Sequence, residues 1–229
     1  MFPEIRWCST TCGMQVARRR SAAAGARAIA TGSWSVANAN GFADGERIPL
    51  ALAIDNLRRI VAATELPVTV DLESGYSDIA ETVRLAIEAG AVGCNLEDSF
   101  PADGKLRAIG EQCVRIRQAR RAAEAAGLRF FINARTDVFF QGHPYEEAVE
   151  RAQAYAEAGA DGIFAPGLED LESIARLATA SLLPLNIMVG DATPALRVLA
   201  EHEVARVSYG PRPYLMAMRS LEDAARAAF

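Results

Sequence analysis

The chain has 229 residues, about half of them apolar and only 7% aromatic, with a formal net charge of −5. That length suits one large domain whose core is built from Ala, Val, Ile and Leu, and the acidic balance argues against a nucleic-acid or anionic-membrane partner. No apolar run reaches the roughly 18 residues of a membrane span, and the only lysine, Lys105, lies in a polar loop, which excludes a strand-borne Schiff-base lysine.

Residues 1–20 show neither clean alternation nor an amphipathic helix. They hold Cys8 and Cys12, a CxxxC with no second Cys/His pair at zinc-ligand spacing. Cys94 and Cys113 read as small apolar fillers, and the segment lacks the apolar core of a signal peptide, so a reducing cytoplasm is expected. From residue 21 the pattern is regular. Short apolar runs at 26–31, 68–71, 92–97, 130–135, 162–165, 185–189 and 206–209 read as buried strands. Between them Ile54, Leu57, Ile60 and Val61 share one helix face, as do Ile79, Val83 and Ile87. Further helices are predicted over about 111–126, 145–158, 168–178, 194–201 and 213–228. Ala-Gly pairs at 24–25, 89–90, 126–127 and 158–159 supply left-handed helix caps. Strict alternation of strand and helix means a parallel sheet. Seven legible strands and an obscure N-terminal one predict a (β/α)8 barrel, a single domain over 1–229. A doubly wound open sheet is the alternative, but no GxGxxG follows any strand.

In such a barrel the chemistry sits at the C-terminal strand ends. Two of these carry acids: VTVDLESGY, with Asp71 and Glu73, and VGCNLEDS, with Glu97 and Asp98. Acids at the mouth of a buried strand are costly to desolvate without a cation or several donors. Asp71 and Glu73 are two apart, so a strand would point both to one face. With Glu97 they predict a Mg2+ or Mn2+ site, because hard cations take oxygen ligands and no histidine lies nearby. Asp98 is left out of the metal set, since a structural hydrogen-bonder behind the ligands is an equal reading. The remaining strand ends offer Ser33 and Trp34, then Arg135 with Asp137. The set points to metal-assisted stabilisation of an anionic transition state.

From about residue 22 onward the chain resembles the isocitrate lyase/phosphoenolpyruvate mutase superfamily, on AIATGSWSVANANGFADGE, VTVDLESGY, CNLEDS, FFINARTDVF and EAGADGIFAPG in that order. The resemblance implies a TIM barrel in which a divalent metal chelates a small α-oxo or α-hydroxy carboxylate, and a C–C or P–C bond is made or broken through a metal-held enolate. By motif, Asp71 would be the main metal-side carboxylate, with Glu73 and Glu97 completing the shell through waters. Ser33 and Trp34 would hold the substrate carboxylate, Asp44 would reach the metal-side water network, and Arg135 would grip the substrate and offset enolate charge. The resemblance also implies a homodimer or homotetramer that exchanges its last helix between subunits.

Two departures stand out. The superfamily's cleaving lyases carry Lys-Lys/Arg-Cys-Gly-His after the Glu97 strand, where this chain reads SFPADGKLRAIGEQC. That shorter loop resembles the phosphonate-forming side, and also many members of unassigned substrate; its glycines and few apolar anchors predict a loosely held segment over the metal. The usual Trp-Asp-Ala-x-Ser-Ala opening is also missing, which suggests an altered reading frame or start over residues 1–20. Besides a lyase or mutase, two alternatives stay open: a degenerate barrel that binds metal and oxyacid without turnover, and an oxaloacetate- or phosphonopyruvate-type hydrolase.

Overall fold

A computed structural model describes residues 7–11 and 26–229. Eight parallel strands close into a barrel in sequence order: β1 (Trp7–Thr11), β2 (Ile29–Ala30), β3 (Val68–Asp71), β4 (Gly93–Glu97), β5 (Phe131–Arg135), β6 (Gly162–Ala165), β7 (Leu185–Met188) and β8 (Arg206–Ser208). The helices are α1 (Ser33–Ala39), α2 (Leu50–Val61), α3 (Ile79–Glu88), α4 (Ile109–Ala125), α5 (Tyr145–Glu157), α6 (Leu171–Ala180), α7 (Leu196–Glu201) and α8 (Arg212–Ala228). The strand missing from the sequence pattern is β1, which pairs with both β2 and β8 and so closes the barrel. The rest of the unusual opening, Cys12 included, lies outside the described residues.

The predicted helix faces are the buried ones. Ile54, Leu57 and Ile60 of α2 and Ile79, Val83, Ala86 and Ile87 of α3 pack inward on the strands. The Asp78 carboxylate caps α3 by accepting from the N–H groups of Ala80 and Glu81, at 3.0 and 3.1 Å. Three Ala-Gly junctions end helices as the sequence indicated, with Gly90, Gly127 and Gly159 in the left-handed region. At Gly90 there is a second reason, since a Cβ there would lie 2.7 Å from Val61 Cγ1. Cys94 and Cys113 are buried as fillers.

Along the strands, alternate side chains turn outward to the helices or into the barrel. Cys94, Leu96, Ile132 and Ile187 belong to the outer core. The inward positions Asn95, Asn133 and Asn186 form a polar layer instead. Asn133 Nδ2 donates to Asn95 Oδ1 at 2.9 Å and to Asn186 Oδ1 at 3.0 Å. Bonded in this way the amides satisfy one another inside the barrel. No helix among the described residues is long and apolar enough to cross a membrane.

Candidate active site

The C-terminal end of the barrel opens into a cavity of about 230 Å³ that is lined by Ser33, Trp34, Asp44, Asp71 and Arg135, over a floor that includes Asn95 and Arg206. Five of the seven residues singled out from the sequence therefore meet in one space. Glu73 and Glu97 are not among its lining residues.

The structure corrects the argument that linked Asp71 to Glu73. β3 ends at Asp71, and Glu73 lies in the following turn with φ 53°. The period of two thus breaks between them, and they do not share a strand face. Glu73 is buried, and its Oε2 accepts a hydrogen bond from the N–H of Glu46. Burial, together with the charges of Asp71, Asp44 and Glu46, pushes its pKa up to about 7 despite that bond.

Asp71 is held from two sides. Its Oδ2 accepts from the N–H and the Oγ–H of Ser33, each at 3.0 Å, and its Oδ1 accepts from the N–H of Glu73 at 3.3 Å. Both donors of Ser33 are thus directed at Asp71, where the resemblance had assigned them to a substrate carboxylate. Ser33 also opens α1, a helix that is not among those predicted from the sequence. Trp34 meets Tyr214 of α8 edge-on, with ring centroids 5.9 Å apart, and Tyr214 donates to Asn38 Oδ1 at 2.8 Å. Trp34 therefore ties the last helix to the cavity wall.

Asp44 arrives from the loop between α1 and α2. Desolvation of its carboxyl at the cavity, although much of the residue meets solvent, and the charge of Asp71 raise its pKa; Arg135, the Gly45 backbone and the nearby Ser33 hydroxyl act the other way.

Arg135, the last residue of β5, is clamped. Its Nη1 lies 2.5 Å from Glu97 Oε1, while Nε and Nη2 reach the two oxygens of Asp137 at 2.7 and 3.2 Å. Glu97 therefore pairs with an arginine and does not join Asp71 as an open ligand. Its burial raises its pKa, against the pull of Arg135. Ser99 Oγ donates to Asp137 Oδ2 at 2.7 Å and extends the clamp into the next loop. Asp98 is fully buried, as a structural residue would be: it accepts from Tyr155 Oη at 2.8 Å, Arg151 Nη1 at 3.1 Å and the N–H of Asp137 at 3.0 Å.

The loop after β4 differs from its compositional reading. It folds as a small hairpin with a bridge between Ser99 and Leu106, and the Arg107 guanidinium stacks 3.9 Å over Phe100. Arg151 fastens it from below by donating to Arg107 O at 3.0 Å. Backbone pairing and one buried arginine supply the anchors that the apolar count did not show. Lys105 points outward to Asp103, at 3.0 Å.

The family model described as phosphoenolpyruvate phosphomutase matches residues 15–229. This chain belongs to that family. A crystal structure from Burkholderia cenocepacia J2315, of a protein provisionally assigned as a phosphonomutase, is 53% identical, covers 96% of this chain and 93% of its own, and superposes with a TM-score of 0.93. An uncharacterized protein of Mycobacterium tuberculosis is 34% identical over 213 residues, 90% of this chain and 78% of the relative. The 2-methylisocitrate lyase of Escherichia coli K12 is 34% identical over 184 residues, 75% of this chain and 61% of the lyase. The superfamily around this phosphomutase-family chain is thus one of lyases and mutases, which supports an enzyme.

Among the described residues of this family member, no three His, Cys, Asp or Glu side chains converge into a cage for a metal. The donor chemistry still fits a hard cation. Mg2+ keeps several of its waters and is commonly held through one or two carboxylates. Asp71 is already oriented by Ser33, and Asp44 and Glu73 carry raised pKa values partly because Asp71 repels them. A divalent ion would relieve that repulsion. Strand ends alone did not reveal Asn95, Arg206 or Glu46. The available signal for the first two was a polar residue at an inward strand position, Asn95 in CNLE of β4 and Arg206 in RVS of β8.

Proposed function

We propose that this chain is a Mg2+-dependent enzyme that makes or breaks a P–C or C–C bond of a small α-oxo or α-hydroxy carboxylate. The observation that carries the reading is the shared cavity: Asp44 and Asp71 on one wall, with the clamped Arg135 beside them. Asp71 would hold the ion directly, with Asp44 and Glu73 reaching its waters. When bound, the ion supplies positive charge to the oxygens of the substrate's oxo-acid end. Arg135 keeps its proton, because Glu97, Asp137 and Asp71 more than offset the cost of burying it. It presents a fixed cation to negative charge that develops during bond cleavage. Phe140 and Phe164 line the same cavity and give it an apolar side.

The loop favours P–C chemistry within the superfamily. The hairpin at 99–107 carries no cysteine to protonate a departing carbanion, and the 53% identical relative is provisionally a phosphonomutase. The test is a screen of phosphonopyruvate, oxaloacetate, 2-methylisocitrate and 2,3-dimethylmalate with Mg2+. Turnover of phosphonopyruvate with slow 2-methylisocitrate cleavage is the expected result. Fast 2-methylisocitrate cleavage, unaffected by replacing residues 99–110, would overturn the role given to the loop.

One observation favours a second reading. Both donors of Ser33 are directed at Asp71, so the oxyacid grip assigned to Ser33 is not open. A barrel that binds Mg2+ at Asp71 yet turns over none of the four substrates would fit that arrangement. As for assembly, α8 carries Met216 and Leu221 on its exposed surface beyond Tyr214. We propose that a second copy covers them, in a homodimer or homotetramer. A cytoplasmic location accords with this reading.

A further inference from the structure

Four non-glycine residues of the described chain have positive φ: Glu46, Glu73, Tyr76 and Glu203. Three of them face one another across two loops. A left-handed backbone is uphill for such residues and persists only where the surroundings fix it. Here they are fixed by Glu46. Its Oε1 accepts from Ser74 Oγ at 2.7 Å and from the N–H of Tyr76 at 2.8 Å. Its own N–H donates in return to Glu73 Oε2. Arg115 of α4 holds the far side by donating to the carbonyl of Ser74. The loop that carries Asp44 is thereby clasped to the turn that carries Glu73, by bonds running both ways.

We propose that Glu46 is a positioning residue, a clasp that fixes Asp44 and Glu73 relative to Asp71 and so shapes the metal-side water network. Glu46 does not line the cavity, whereas Asp44, two residues before it, does. Asp44 comes from a loop with Gly41 and Gly45 at φ 80° and 85°, a backbone with little stiffness of its own. Glu46 supplies the missing constraint through one side-chain oxygen. Ser74 and Tyr76 hold that oxygen, and it leaves Asp44 free to face the cavity. The role relies on the metal reading above for one of its two readouts; the other needs no metal.

The experiment compares wild-type protein with Glu46→Ala, which removes the acceptor, and Glu46→Gln, which keeps a carbonyl oxygen in its place. Hydrogen exchange is followed without added metal over residues 41–49 and 73–77, with α4 as the internal control. Glu46→Ala should speed exchange in both loops by about tenfold or more and leave α4 unchanged, whereas Glu46→Gln should stay near wild type. Titration with Mg2+ alone should show roughly 10–100-fold weaker binding for Glu46→Ala, as for loss of other groups that orient metal ligands, and recovery in Glu46→Gln. Unchanged exchange in Glu46→Ala overturns the clasp. Faster exchange with unaltered Mg2+ affinity makes the clasp merely structural and overturns the positioning role. If wild type binds no Mg2+, the metal reading falls, and the exchange contrast judges the clasp by itself. Should Glu46→Ala not fold, Ser74→Ala removes one donor from the same oxygen and is read by the same criteria.

Discussion

Ser33 gives both of its donors to a single oxygen of Asp71: the backbone N–H and the hydroxyl each lie 3.0 Å from Oδ2. The paired contact fixes the rotamer of the carboxylate and turns its remaining lone pairs toward the cavity. It also makes Ser33 an orienting partner of the residue on which the metal reading depends most.

Two substitutions separate that role from plain packing. Asp71→Ala should abolish Mg2+ binding and turnover while changing stability by no more than about 1–2 kcal/mol, because relief of the repulsion on Asp44 and Glu73 offsets the two stranded donors of Ser33. Ser33→Ala should weaken Mg2+ binding roughly tenfold and leave the fold intact. Calorimetric titration beside a denaturant melt measures both. Parallel losses of stability and binding in Asp71→Ala would favour a structural carboxylate.

Arg135 is predicted to be costly to remove. Glu97 and Asp137 flank it, with side chains only 14% and 7% exposed. Arg135→Met leaves two buried acids without their cation and should destabilise the protein by about 3–5 kcal/mol, with loss of activity. Arg135→Lys keeps the charge but not the fork that spans both carboxylates, so it should recover only part of the stability. A melt of Arg135→Met that matched wild type would remove the clamp from the account.

Stability at acid pH should report on Glu147. Its Oε1 accepts from Arg151 Nε at 2.9 Å and Nη2 at 2.7 Å, and its Oε2 lies 2.8 Å from His143 Nδ1. Burial opposes ionisation, but these bonds win and hold its pKa below the ordinary carboxylate value. A pKa depressed by folding means that the stabilisation is complete above the unfolded value, about 4.3, and is lost as pH falls through the folded one. Between about pH 6 and pH 3 wild type should therefore lose more stability than Glu147→Gln. Equal slopes in denaturant melts across that range would contradict the assignment.

Assembly can be read directly. Met216 and Leu221 of α8 are 69% and 64% exposed in the isolated chain, whereas Tyr214 at the start of the helix is buried against Trp34. Light scattering at micromolar concentration should give the mass of a dimer or tetramer, and Leu221→Glu should shift it toward monomer. A monomeric mass for wild type would rule the assembly out.

The sequence determined the barrel and most of what lies at its mouth, for a local reason. Strand and helix periods, glycine caps and the rule that chemistry sits at C-terminal strand ends operate within a few residues of chain, so Asp71, Glu97 and Arg135 could be placed before any contact was known. Asp98 could likewise be left out of the metal set. Where the period of two was carried one step too far, at Glu73, a left-handed turn broke it. Tertiary structure alone decided which charges share a space. Closure of β4 against β5 puts Glu97 level with Arg135 and converts a candidate ligand into half of an ion pair. The loop between α1 and α2 folds back to set Asp44 beside Asp71, and Glu46 fastens it there. β1 had no periodic signal at all, and its place is fixed by the open edges of β2 and β8, whose unpaired backbone groups it satisfies. Such pairings join segments far apart in the chain, and short-range patterns of residue type do not encode which of them will meet.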